Sequence, residues 1–142
     1  MTSLTLVDAE GVVQEWAESD AGIAAATGSR IFFAVPIAYN KTPVSTWIVM
    51  TLVSEAHQVG DLGLQEARIQ FNCNGKTKLL AATVALAVQS AARQLSFGLP
   101  KTVGSAVITW ADVSLKRWLP DPTLNTPRYV VDVLFAMHGA EA

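Results

Sequence analysis

The sequence predicts an α+β fold: a largely antiparallel sheet of about four to five strands, with a long helix packed across it and an N-terminal helix. Three observations predict it. Leu80, Val84, Val88, Ala91 and Leu95 recur at helical spacing and mark one amphipathic helix over 76–96. The runs 67–73 and 129–137 alternate apolar with polar residues, as half-buried strands do. The signals follow one another as helix, three strands, long helix, two strands, and 142 residues suffice for a single domain over 1–142 with one core.

Taken in order, the first element is a helix capped by Asp8, with Val12, Val13 and Trp16 on one side and Gly11 weakening it. A second short helical piece runs from Ser19 or Asp20 to Ala26 and is ended by Gly28. Arg30 to Val35 reads as a strand stopped by Pro36, and 36–45 as a loop. Thr46 to Ser54 is apolar on both alternating sets, which predicts a central strand covered on both faces, and Glu55 to Gly63 reads as a connection. In the next strand Ala67, Ile69, Phe71 and Cys73 face inward while Glu66, Arg68, Gln70 and Asn72 face water. Gly98 and Pro100 end the long helix, whose back carries Ala82, Ala85 and Ala92 beside Lys78, Gln89 and Arg93. Ser105 to Leu115 forms a strand, the proline-rich 120–127 a turn, and Arg128 to His138 the last strand, with Tyr129, Val131, Val133, Phe135 and Met137 on one face.

The stretch Asn72 to Lys78, NCNGKTK, contains the Gly-Lys-Thr of a phosphate-binding loop, but Gln70 stands where such a loop needs its first glycine. The simpler reading is that Asn74 and Gly75 provide a turn and helix start. Other chemistry is equally sparse. His57 and His138 have no ligand-spaced partners. Cys73 lies on an inward set, where a cysteine acts as a small apolar residue, and as the single cysteine it excludes an internal disulfide. No serine occupies a nucleophile elbow. Asp112 and Asp132 would approach each other if the last two strands pair, yet both alternate with buried neighbours and read as solvated or ion-paired surface groups.

Composition narrows the class further. Charged residues make up 15% of the chain, against about 25% in a typical soluble domain, and a surface so sparsely charged suits a partner. A net charge of −2 without a basic stripe argues against tight nucleic-acid binding, and Leu79 to Val88 is about half the length of a membrane span. The N-terminus shows no secretory pattern, so synthesis in a cytoplasm is expected. Four tryptophans remain. Trp16 reads as core, whereas Trp110 and Trp118 fall on the set that carries Asp112, Ser114 and Lys116, a place where aromatics favour protein contacts. For Trp110, covering by the N-terminal helix competes with a subunit contact, while Trp118, beside the proline-rich turn, favours the contact.

Together these elements and several short motifs resemble the tail terminator, or tail completion, proteins of long-tailed bacteriophages. The resemblance spans nearly the whole chain: an N-terminal helix and short second helix, then Gly28-Ser29-Arg30-Ile31-Phe32, a proline-bearing loop, the Trp47 to Val53 strand, the polar-faced strand to Asn72, the alanine-rich helix, and Thr126-Pro127-Arg128-Tyr129-Val130-Val131-Asp132-Val133. It implies a non-enzymatic subunit without cofactor or metal that forms a six-membered ring at the head-proximal end of the tail tube. Its partners would be copies of itself, the tube protein and the neck, with DNA passing through ungripped and no membrane involved. For the self-contact the candidates are Arg30, Trp110, Arg117, Trp118 and Arg128, since arginine and tryptophan carry much interface energy. The rival expectations are another head-tail connector component such as an adaptor or stopper, a small enzyme using Asp112 and Asp132, and a ligand-binding α+β module.

Overall fold

The computed structural model describes residues 7–33, 45–57, 65–122 and 126–139. Helix α1 (Ala9–Ser19) buries Val13, Trp16 and Ala17. Asp8 stands at its N-cap position, but the side chain makes no capping bond. Helix α2 (Ala21–Thr27) starts where Asp20 Oδ1 accepts the Ile23 amide, and it ends at Gly28 in the left-handed region (φ 61°). A Cβ on Gly28 would also stand 2.6 Å from the Arg30 guanidinium, the movable end of a long side chain, so it is the left-handed backbone that favours glycine there.

Strand β1 (Ile31–Phe32) is what the described residues show of the expected 30–35 run, whose positions 34 and 35 lie outside them, and it runs parallel to β2 (Thr46–His57). The loop expected over 36–45 falls outside the described residues except for Ser45. Strand β2 runs past the predicted Ser54 through a bulge at Leu52/Ser54. Its two-sided burial holds at Trp47, Ile48 and Met50 and then fails, with Val53 51% exposed. Far from being central, β2 lies next to the end of the sheet, beside β3 (Gln65–Gly75). In β3 the expected alternation holds: Ala67, Ile69, Phe71 and Cys73 are fully buried. Its first residue has an added task. The buried Gln65 carboxamide accepts the Val7 amide (3.0 Å) and donates to the Val7 carbonyl (3.1 Å) and Glu55 Oε1 (2.8 Å), so a polar group inside the fold is fully paired.

Helix α3 (Lys78–Phe97) is capped by Thr77, whose hydroxyl accepts the Leu80 amide, and not by Asn74, which is still in β3 and donates to the Asn72 carbonyl. Gly75 is where strand and helix meet most closely: a Cβ there would lie 2.5 Å from the Ala81 amide nitrogen. The stretch that looked like a nucleotide loop is therefore a tight strand-to-helix junction. Val84, Val88, Ala91 and Leu95 bury as the periodicity predicts, joined by Ala81, Ala85 and Ala92. Beyond α3, β4 (Lys101–Val103) and β5 (Ala106–Val113) form a hairpin around Gly104 (φ 58°). Strand β6 (Arg117–Trp118) and the last strand, β7 (Arg128–Gly139), complete the set.

The sheet has seven strands, not four to five, in the order β1-β2-β3-β7-β5-β4 with β6 also paired to β7, and it curls into a half-barrel. It is mixed: every pair is antiparallel except β1 with β2. The architecture stays α+β, and the extra strands escaped prediction because two or three residues cannot display an alternation. One face is dry. Trp16 meets the rings of Phe71 and Phe135 edge-on, with centroids 6.5 and 5.6 Å away, and α3 lies beside it over β3, β7 and β5.

Candidate functional site

The five residues favoured for self-contact divide into two groups. Arg30 turns inward: its Nε donates to the Thr46 carbonyl (2.8 Å) and Nη2 to the Thr46 hydroxyl (3.2 Å), which itself donates to the Ala26 carbonyl (2.6 Å). Arg128 pins the chain reversal before β7 through the Leu119 carbonyl (2.8 Å) and Asp121 (3.7 Å). Both are fasteners of the fold. Arg117 is more exposed and pairs with Asp132 at 2.8 Å. Trp110 and Trp118 do reach the surface, 57% and 44% exposed, and among the described residues no helix covers Trp110.

The two tryptophans sit on opposite faces of the sheet. Trp110 is opposite Ala136, on the face without helices. Trp118 is opposite Tyr129, whose partner Cys73 points to the dry face. Residues 114–116 leave the strand between β5 and β6 and reset the alternation that placed both on one set. Trp118 consequently packs on Tyr129 (5.1 Å between centroids), with the Lys78 ammonium of α3 4.7 Å above its ring and that of Lys116 5.6 Å from Tyr129.

Around these rings lies an apolar seam that sequence reasoning missed. Leu79, Leu86 and Phe97 are 77%, 52% and 85% exposed, and their spacing of 7 and 18 residues aligns them on one side of α3. Leu115 (84%) and Leu119 join them from the β5–β6 side. Between α3 and β5 runs a groove of about 500 Å³ lined by Leu86, Phe97, Ala111, Val113 and Leu115, with Gln89 Nε2 bridging it to the Ser114 carbonyl (3.1 Å). The strand bordering the groove has a bare edge. Strand β4 pairs only with Ala106, Val107 and Ile108, and among the described residues no strand lies beside Thr109–Val113 on the side away from β7. A second, visible stripe in the helix sequence was the available signal; the stronger Leu80 to Leu95 stripe masked it.

The groups considered for chemistry are brought together only in part. Asp112 and Asp132 share a shallow cavity of about 140 Å³ with Arg68 and Ser114, where Asp132 is held by Arg117 and its amide donates to the Ser114 hydroxyl (3.0 Å). Asp132 is thus ion-paired and Asp112 exposed, the two surface states expected of them. Burial pushes the Cys73 thiol far above its ordinary value, and its Sγ lies 3.7 Å from the Phe71 carbonyl, so it is a protonated core group. His138 Nδ1 lies 2.7 Å from the Gly139 carbonyl. Among the described residues no three of His, Cys, Asp and Glu gather as a metal site, and no helix is long and apolar enough to cross a membrane.

No family model matches the sequence, and no curated protein matches it. The fold, however, is similar to that of a solved chain from the virion of a native gene transfer agent particle, with a TM-score of 0.61. The match covers 94% of this chain and 95% of the other at 18% identity. The likeness of fold extends over nearly the full length of both chains.

Proposed function

We propose that this chain is a virion structural subunit that caps the head-proximal end of a phage tail tube as a six-membered ring, ends tube growth and joins the tail to the neck. The observation that carries the reading is the near end-to-end fold similarity to a chain of a virion particle. The tail-terminator resemblance in the order of elements supplies the finer role.

The work is done by surface geometry. One face of the ring reproduces enough of the tube's own docking surface to seat on the last tube ring, while the other gives no seat to a further tube subunit. The exposed apolar seam is the kind of surface that association covers. With a net charge of −2, the ring lets DNA slide through without gripping its phosphates.

The test is to silence the gene and image the particles by negative stain. Overlong tubes without heads are expected, restored to normal length by the purified protein. Normal tube lengths would overturn the proposal. Binding to the capsid portal but never to tube ends would favour an adaptor or stopper in its place.

A further inference from the structure

Among the described residues, the nine exposed large apolar side chains are distributed with a direction. Seven (Leu79, Leu86, Phe97, Trp110, Leu115, Trp118 and Leu119) line the α3 and β5–β6 end of the sheet. The other two, Phe33 and Val53, belong to the opposite end, where β1 pairs only with Ile48 and Val49. Among the described residues, the outer edge of β2 beyond Val49 therefore has no strand beside it. The sheet has two unlike open ends, and the exposed large apolar groups cluster at these.

Charge separates in the same direction. The seam end exposes Lys78, Arg93 and Arg117, the last paired with Asp132, and carries Asp112 on β5. At the other end Gln14 Nε2 donates to the Ile31 carbonyl, which sets that side of α1 beside β1. Glu10 and Glu18 lie one turn to either side of Gln14 and share its side, and Glu55 stands on β2. The one cation of β1's approach, Arg30, is turned inward onto Thr46.

Resting on the ring reading above, we infer that the seam of one copy receives the β1–β2 edge of the next. The bare edge of β5 gains the neighbour's β2 as an added strand, apolar side chains from that edge fill the groove over α3, and Glu10 and Glu18 of the neighbour's α1 face the cations of the seam, Glu15 being turned to its own β4–β5 hairpin. Because the two surfaces differ, every joined copy still offers one of each, which is what a closed ring of identical subunits requires.

The experiment uses the full chain, its mass measured by native mass spectrometry and light scattering, alone and with tail tubes. Leu86→Glu with Leu115→Glu disables the seam, and Val53→Lys disables the far edge. Each variant is expected to weaken assembly on the order of 100-fold and leave monomers with an unchanged circular dichroism spectrum. An equal mixture of the two is expected to give two-copy complexes and no rings, since one intact joint remains. Should the glutamates unfold the chain, Phe97→Ser, at a side chain 85% exposed, carries the same test. Rings that form as well with the variants, or a mixture that stays monomeric, overturn this contact while leaving the ring reading standing. A wild-type chain that remains monomeric both alone and at tube ends overturns both.

Discussion

Helix α3 presents two apolar stripes with opposite fates. Val84, Val88 and Leu95 lie against the sheet at 5% exposure or less, whereas Leu79, Leu86 and Phe97 stand more than half in solvent. Both sets are apolar, and the exposed one carries the larger side chains, so hydrophobicity cannot explain the difference. What differs is the sheet beneath: the inner stripe lies over β3, β7 and β5, and the outer one overhangs an edge where the β4 ladder stops after three pairs. The inner stripe stabilises the subunit; the outer one contributes little until something covers it.

That contrast sets the sizes of mutational effects. The largest belongs under the inner stripe: Phe135→Ala, at a fully buried ring in contact with Trp16, should cost about 3–5 kcal/mol in urea unfolding. Gly75→Ala should cost about 1–3 kcal/mol by overpacking, because its Cβ meets backbone that cannot step aside; an unchanged urea midpoint would show the junction to be looser than described. The Cys73 thiol adds a pH dependence. Its folded-state pKa is raised by burial, so its contribution is complete below the ordinary value of 9.0 and is lost as pH rises above it, at about 1.4 kcal/mol per pH unit. Unfolding midpoints at pH 8 and 10 should diverge for the wild type and diverge less for Cys73→Ala. The smallest effect sharpens the comparison most: Leu86→Ala should change monomer stability by under about 0.5 kcal/mol, and a loss near that of a core leucine would mean that the outer stripe already holds the fold together.

Much of the architecture was legible because long periodic segments report their surroundings. The alternation in β3 and β7 and the inner stripe of α3 each average many residues, and all three are where the sequence places them. The sheet's extent was not legible, since β4 and β6 have three and two residues. Faces were misread where the backbone interrupts the count of two: a three-residue break sends Trp118 to the face opposite Trp110. Of the candidate contact residues, Arg30 and Arg128 look from sequence like surface cations, and only the fold reveals the carbonyls they hold. Net charge concealed a further property, because a sum near zero carries no information about which end each ion occupies.

The knot of Ala26, Arg30 and Thr46 has a bearing on how such a subunit can diversify. It clamps the chain leaving α2 to the first residue of β2, and the Ile48 amide donates to the Arg30 carbonyl beside it. The two ends of the described chain at Phe33 and Ser45 are thus held near one fixed anchorage. A longer or different connection between those ends would add only a slowly growing closure entropy and leave the strands where they are, so it is the natural place for lineages to acquire new attachments without redesigning the body.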